Sequence, residues 1–372
     1  MSNESIQWLN DHTAIGDTDL RASIKDPWGR VVNGQWQAWH YRMGSTNHYP
    51  GAVPMDVVEG LICPWEPTRR PLYIKQQDGT FIEVPNFIGM AAEKAPDELY
   101  AIHSGTYEIH PFRRWLIENV QRLVDKDDLH VSSAMVLAKG SVAAIELAIS
   151  DVMTVEGFDY RPHLLAITSA NGRYETSYGR KIQASICDNS LDIADREVGA
   201  RISYRHTKGS VARIKDVAEA TGLIMSQAAA FDEEVKQLLS WKVPTNIFSR
   251  WLDEMIPEKG KDGHLLNGAA LTRVEKKREG MVGMWNNDPR VSPWNGTALG
   301  VLQLNNTWNH HNTAITKATA HRVERNMINT ISGKTGELDF NALGILSGLS
   351  QAYGFKVPDA FTGIPVPQLV TL

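Results

Sequence analysis

The sequence predicts an α+β protein: a curled antiparallel sheet of β-hairpins packed on helices, then a long helix and a mostly helical C-terminal region. Apolar runs at 131–138, 142–149 and 163–168 are separated by Lys139-Gly140 and followed by Asn171-Gly172. Asn-Gly next to an apolar run is a strong hairpin signal, because both central residues of the tight turn need positive φ. We therefore expect two successive hairpins and about four strands.

Helices are predicted before and after this sheet in the sequence. Residues 111–124 place apolar side chains at spacings of three and four, which forms one apolar helix face, and Pro111 suits a first helical turn. We expect this face to pack on the hairpins. A long helix is expected from Ser210 to about residue 243, and a short one over 247–256.

A chain of 372 residues is longer than a single hydrophobic core usually supports, so we expect two or three subdomains. The best candidate linker is 257–263, PEKGKDG. We divide the chain into an irregular N-terminal arm, an α+β core with a basic sheet, a helical C-terminal region and a Pro-rich tail, at residues 1–84, 85–256, 264–356 and 357–372.

Cysteine content and the N-terminal sequence indicate the cellular compartment of the protein. Two cysteines, Cys63 and Cys187, are too few for a disulfide framework and do not resemble a metal site. The N-terminus lacks the basic and apolar regions of a signal peptide, and no apolar run reaches the roughly 18 residues of a membrane helix. We expect a protein of a bacterial cytoplasm with no membrane segment.

Charge is distributed unevenly along the chain. The formal net charge is −5, whereas residues 161–215 hold ten basic and five acidic side chains, a local balance of +5. A basic sheet within an acidic protein indicates a face that binds a polyanion. The alternative, that these cations form an ordinary solvated face, stays open at this point.

Two clusters mix cations with aromatic rings, the combination that suits single-stranded nucleic acid: cations neutralise phosphates and rings stack on bases. The first lies on the second hairpin and comprises Arg173, Tyr174, Tyr178, Arg180 and Lys181. The second precedes the long helix and comprises Arg201, Tyr204, Arg205, His206 and Lys208. Without His206, the residues of the two clusters are the nine of the predicted nucleic-acid-binding set.

Other motifs favour structural roles. Ser332-Gly333-Lys334-Thr335 resembles the end of a phosphate-binding loop, but Ile328 occupies the position of the required glycine. His310 and His311 are adjacent on a predicted helix and point about 100° apart, so they do not easily share one metal ion. We expect no catalytic set, metal or cofactor, and hence no enzyme.

Several short signatures resemble the phage/plasmid-like proteins, a family of unknown function. They are Cys187 to Leu191 (CDNSL), Arg205-His206-Thr207 before a long helix, and Gly296-Thr297-Ala298 followed by His311. The resemblance covers roughly residues 85–345. It implies an origin in a phage or another mobile element.

More loosely, a sheet of hairpins backed by helices and followed by a long helix is similar to the core of the single-strand annealing proteins RecT, Erf and Red beta. That resemblance implies a phage recombination protein that forms rings or filaments, binds single-stranded DNA along a basic groove and anneals strands without ATP. A phage exonuclease or host protein is a possible partner. The alternatives are a non-enzymatic phage protein that binds a host factor or serves assembly, and a nucleic-acid-processing enzyme.

Overall fold

A computed structural model of the chain describes residues 11–17, 47–95, 97–124, 129–149, 152–184, 189–191, 201–207, 231–260, 263–312, 325–326, 329 and 333–364. These residues form two antiparallel sheets and several helices, which confirms the predicted α+β class. None of the helices in these ranges combines the length and apolar composition needed to cross a membrane.

Eleven strands lie in the described part of the chain. They are β1 (Thr13–Ile15), β2 (Pro67–Lys75), β3 (Phe81–Ala92), β4 (Leu99–Ser104), β5 (Leu129–Leu137), β6 (Val142–Ile149), β7 (Met153–Val155), β8 (Phe158–Ser169), β9 (Thr176–Ala184), β10 (Asn189–Leu191) and β11 (Arg201–Tyr204).

The helices are α1 (Met55–Ile62), α2 (Glu118–Val124), α3 (Thr245–Met255), α4 (Gly268–Asn287), α5 (Ala298–Thr307) and α6 (Lys334–Ala352). A π-helical turn, Arg113–Ile117, leads into α2, and a second one, Trp308–Asn312, follows α5. Residues 231–240 are also helical, so the predicted long helix ends three residues earlier than expected, and its part over 210–230 lies outside the described residues.

The main sheet has eight antiparallel strands. β1, β5, β6, β8, β9 and β10 are neighbours in that order, while β7 pairs with β8 and β11 pairs with β9. Leu137 opposite Val142 closes the β5–β6 hairpin, and Ile167 opposite Ser177 begins the β8–β9 pairing. The two predicted hairpins are therefore confirmed, within a sheet larger than the four strands expected.

The turns of these hairpins differ from the prediction in detail. The connection between β8 and β9 spans residues 170–175. Gly172 has positive φ there (+71°), but Asn171 does not, so Asn171-Gly172 is not the predicted two-residue turn. A two-residue turn with positive φ at both centres joins β7 to β8 instead, at Glu156 (φ +47°) and Gly157 (φ +80°).

The predicted helix at 111–124 packs on one face of the main sheet. Phe112, Trp115, Leu116 and Val120 are buried in a cluster with side chains of β5, β6, β8 and β9. This confirms the expected contact between helix and hairpins. Burying a large apolar side chain contributes about 1.5–3 kcal/mol, so the face anchors this helix strongly.

The opposite face of the main sheet is also buried. Met135, Leu137, Val142, Leu165 and Ile167 form a second apolar cluster there. The described side chains of β5 and β6 and most of those of β8 are consequently inaccessible. An exposed basic surface therefore does not run along β5, β6 and β8. The basic face expected on β9 and β11 stays a prediction, because the side chains of Arg180, Lys181 and Arg201 lie outside the described residues.

A smaller sheet is built from β2, β3 and β4. It lies partly in the segment that we expected to be irregular, and α1 lies there too. Six prolines between positions 27 and 71 favour irregular structure in the sequence. Pro67 and Pro71 are nevertheless part of β2, an edge strand, where proline is tolerated.

The C-terminal helices share a separate hydrophobic cluster that includes residues on both sides of the 257–263 segment. Trp241 and Trp251 are buried in it, and their indole N–H groups donate to Ser350 Oγ (3.1 Å) and the Ala342 carbonyl oxygen (3.0 Å). The predicted helix over 247–256 corresponds to α3, and α4, α5 and α6 make the C-terminal region mostly helical, as predicted.

Replacing Gly140 by alanine should destabilise the protein more than replacing Gly157. Gly140 has φ +91°, and a Cβ there would lie 2.1 Å from Cε3 of Trp65, whereas a Cβ on Gly157 (φ +80°) meets nothing within 4 Å. Both variants introduce backbone strain of about 1–2 kcal/mol. Gly140→Ala should lose about 1–3 kcal/mol more through overpacking. Urea denaturation of both variants measures the difference, and equal losses would show that Trp65 moves aside freely.

Candidate nucleic-acid interface

The connection between β8 and β9 is held by its own polar side chains. Asn171 accepts from the Arg173 N–H (3.0 Å) and donates to Ser141 Oγ (2.8 Å) in the adjacent β5–β6 turn. Ser169 Oγ accepts from the Tyr174 N–H (2.9 Å). These bonds fix the backbone from which Arg173 projects into solvent, with its Cζ 5.9 Å from the centroid of the Tyr174 ring.

Arg205 lies beside this connection. Its side chain is 84% exposed, and its Nε is 3.3 Å from Glu175 Oε1. An ion pair between exposed groups contributes only about 0–1 kcal/mol, so a phosphate can compete for the guanidinium. Arg173, Tyr174 and Arg205 are the predicted binding residues that the fold brings together on the surface.

Five aromatic rings stack in a column next to these residues, which we call the aromatic column: His103, Tyr107, His206, His110 and Trp115. Successive ring centroids are 3.8, 4.9, 4.0 and 4.0 Å apart, and the interplanar angles do not exceed 20°. His103, Tyr107 and His206 are partly exposed, whereas His110 and Trp115 are buried. The column therefore runs from the surface into the core.

Hydrogen bonds attach the column to the β8–β9 hairpin. His103 Nε2 donates to the Ala170 carbonyl oxygen (3.0 Å), and Tyr107 Oη donates to that of Ser169 (3.4 Å). His110 Nδ1 shares a 2.6 Å hydrogen bond with Thr176 Oγ1, the first residue of β9. We refer to residues 103–107, 170–175 and 205–207 together as the turn end of the main sheet.

Burial keeps the inner histidines neutral. Burial, together with the smaller effect of the nearby His206 ring, lowers the pKa of His110 to about 3. Burial also lowers the pKa of His206, whose Nδ1 donates to the Glu108 carbonyl oxygen (3.1 Å). At neutral pH the His110 and His206 rings are thus uncharged, and the guanidinium charge beside the column comes from Arg173 and Arg205.

Two predicted residues are corrected. Tyr178 and Tyr204 are 0% and 4% exposed, so neither ring can stack on a base. The Tyr178 hydroxyl donates to the Trp115 carbonyl oxygen and accepts from Asn119 Nδ2 (2.8 Å), so this side chain holds the helical segment against the sheet. Both tyrosines belong to the core because both faces of the hairpin are covered.

The remaining predicted residues are described only in part. Arg180 and Lys181 lie on β9 and Arg201 lies on β11, where their backbones pair with Leu164, His163 and Gly179, respectively. Their side chains, and all of Lys208, lie outside the described residues. Their binding role stays a prediction.

One cation counted in the basic stretch is not available to a ligand. Arg161 is buried, and its Nη1 is 2.7 Å from Asp17 Oδ2, which also accepts from His130 Nε2 (2.8 Å). The excess of basic residues along the sequence therefore overstates the positive charge on the surface.

Sequence reasoning missed His103, Tyr107 and His110. His103 lies in β4, and Tyr107 and His110 follow at spacings of four and three, a pattern that predicts no contact by itself. Their function as a column depends on His206, which is about a hundred residues away in the sequence. The signal that could have revealed them is the density of ring-bearing residues between 100 and 115.

The adjacent histidines of the C-terminal region lie in the second π-helical turn. His310 is buried, and its Nδ1 donates to the Asn306 carbonyl oxygen (2.9 Å). Asp339 accepts from Asn305 Nδ2 (2.9 Å) and Asn306 Nδ2 (2.6 Å). Within the described ranges no three His, Cys, Asp or Glu side chains are grouped to hold a metal ion. This polar network ties α5 to α6.

The protein should become less stable as the pH falls below about 6.5. His110 has a folded pKa of about 3 and an ordinary value of 6.5, so the unfolded chain binds the proton first. Stability is therefore fully present above 6.5 and is lost progressively towards pH 3. From His110 alone we expect about 2 kcal/mol less stability at about pH 5 than at about pH 7.5.

Urea denaturation at the two pH values measures this loss. His110→Gln should show a pH dependence smaller by about 2 kcal/mol than that of the wild type. His264→Gln, in the exposed turn after α3, is the control for removing a histidine far from the column. If the His110 variant keeps the full pH dependence, the column histidine is not the group that titrates.

Comparison with protein families gives one match: residues 100–329 match the domain of unknown function DUF932. The match begins in β4 and spans the aromatic column, the hairpins, α3, α4 and α5. No curated protein and no solved structure gives a significant match. Because the match covers more than half of its length, this chain belongs to the DUF932 family.

Proposed function

We propose that this protein binds single-stranded DNA at the turn end of the main sheet and, as an oligomer, promotes annealing of complementary strands without ATP. One observation carries the proposal. Two exposed guanidinium groups, Arg173 and Arg205, flank a surface on which Tyr174 and the outer rings of the aromatic column are partly exposed. Cations beside accessible rings are the elements from which sequence-tolerant single-strand sites are built.

The two kinds of group have different tasks in this proposal. Arg173 and Arg205 contact phosphates, and Tyr174 and His103 offer rings on which unpaired bases stack. His103 is the outermost ring of the column, whereas Tyr107 is stacked between His103 and His206 and only supports it. The column is held by hydrogen bonds to the hairpin, so its rings are positioned before the strand binds. Pre-positioned rings reduce the entropy lost on binding.

Annealing by this route breaks no covalent bond, so it needs positioning and charge neutralisation rather than a nucleophile or a general base. The phage origin implied by the resemblance belongs to the same proposal. Binding of a host factor through the N-terminal arm and Pro-rich tail stays a prediction, because residues 1–10 and 18–46 of the arm and 365–372 of the tail lie outside the described residues.

Removing both exposed arginines should weaken binding and flatten its salt dependence. For single strands each neutralised phosphate contributes about 0.7 to the slope of log affinity against log salt. The double variant Arg173→Ala/Arg205→Ala should therefore lower the slope by about 1.4 if each side chain contacts one phosphate. Fluorescence anisotropy with a labelled oligonucleotide at several salt concentrations measures it.

The matched control removes the same charge elsewhere. Arg250→Ala/Arg273→Ala changes two exposed arginines on α3 and α4. This control should retain wild-type affinity, and annealing of two fluorophore-labelled complementary strands without ATP should fail only for the turn-end variant. Equal effects of the two double variants would show that net charge, and not this surface, governs binding.

A further inference from the structure

The small sheet carries most of the exposed apolar side chains. Of the eleven large apolar residues exposed in the described part of the chain, seven lie on β2, β3 and β4. β4 pairs with β3 only over Phe87–Ala91, so the outer part of β2 and β3 is a two-stranded ribbon. A two-stranded ribbon is at best marginally stable in water by itself. Its exposed side chains therefore call for a partner surface.

Several of these side chains share one face, around Gly89. A Cβ on Gly89 would lie 3.1 Å from both Leu72 Cδ2 and Leu99 Cδ1, so these two side chains cover the same side of the sheet. Ile102 is the pairing partner of Gly89 and lies on that side as well. The missing side chain of Gly89 lets Leu72 and Leu99 approach each other.

The face continues along the ribbon. Ile74 follows Leu72 by two residues and is paired with Ile82, and alternate residues of a strand face the same side. We call these five residues the aliphatic face: Leu72, Ile74, Ile82, Leu99 and Ile102. The last four are each 53–58% exposed. Arg70 borders the face at the end away from Ile74.

The aliphatic face has the apolar area of an interface core. Its four half-exposed side chains each present on the order of 100 Å², about 400 Å² together. That lies within the roughly 300–600 Å² of the largest apolar patch on a typical monomer. It is about half of the ~800 Å² that each partner buries in a standard interface, and a polar rim ordinarily supplies the rest.

We propose that the aliphatic face docks on the same face of a second copy of this chain. Its five side chains carry no charge, so the face is complementary to itself without any matching of opposite charges. Residues 67–84, which include the ribbon, carry three basic and two acidic residues, so two copies approach with little repulsion. A contact between identical patches is the arrangement expected of a two-fold dimer.

This interface deepens the proposed function and rests on it for its purpose, because a dimer joins two turn-end surfaces into a longer site for one strand. The interface itself is tested without nucleic acid. If assembly fails while the oligonucleotide still binds, the interface alone is wrong. If assembly occurs and binding fails, the proposed function alone is wrong.

Sedimentation velocity of the full chain at micromolar concentrations tests the interface. The wild-type protein should be a dimer or a larger assembly, and Ile74→Ser/Ile82→Ser should raise the dissociation constant at least about a hundredfold, which leaves mostly monomer. Both side chains are more than half exposed in the monomer, so the substitutions should leave its fold intact, as judged by near-ultraviolet circular dichroism.

The control Leu265→Ser/Tyr353→Ser changes two other exposed apolar residues, one before α4 and one after α6, and should assemble like the wild type. A monomeric wild-type protein would overturn the proposal and indicate that a different protein covers the face. A double ribbon variant that assembles as tightly as the wild type would also overturn it, because the contact would then lie elsewhere.

Discussion

The register in which β8 pairs with β9 is the constraint on which the rest of the structure depends. Ala166 lies opposite Tyr178, and both are buried beneath the helical segment that contains Trp115. A slip by one residue would turn every side chain of β9 to the other face. Tyr178 would then lose its hydrogen bonds to Asn119 and Trp115, and the turn end would no longer meet the segment after β4. Core packing and surface geometry are thus fixed by the same pairing.

The same strand pairing also positions the aromatic column, which is hydrogen-bonded to the β8–β9 hairpin. Its rings come from three places: the end of β4, the segment before α2 and the segment after β11. Each stacked pair contributes about 0.5–1.5 kcal/mol beyond its buried area. Because the inner histidines stay neutral, this stabilisation is obtained without placing uncompensated charge in the core. The flexible cations remain at the rim, where water can solvate them.

Much of the central fold follows from local sequence. Lys139-Gly140 and Asn171-Gly172 mark the two hairpins, and the spacing of Phe112, Trp115, Leu116 and Val120 indicates the helical segment that covers them. The burial of Tyr178 and Tyr204 could not be predicted this way. Their neighbours in the sequence are polar or small, which is typical of an exposed strand, and only the long-range packing of the helical segment covers them. The prolines of the first 71 residues likewise concealed β2, since an edge strand tolerates proline.

The candidate site was predictable to a similar degree. Arg173, Tyr174 and Arg205 were identified from the mixture of cations and rings, and the fold brings them to one surface. His103 and Tyr107 were missed because a stack between residues so far apart in the sequence leaves no periodic pattern. The charge count overestimated the positive charge on the surface, because it included Arg161, whose guanidinium is buried against Asp17.

The ion pair between Asp17 and Arg161 also constrains the order in which this chain can fold. The two residues are separated by 144 positions, and Arg161 lies on β8 in the middle of the main sheet. Until Asp17 arrives, burying the Arg161 guanidinium leaves a charge uncompensated, at a cost of about 3–5 kcal/mol. The hairpins can form early from local contacts, but the sheet centre cannot close without the segment that follows β1. One of the first described segments of the chain is thus among the last to be locked into place.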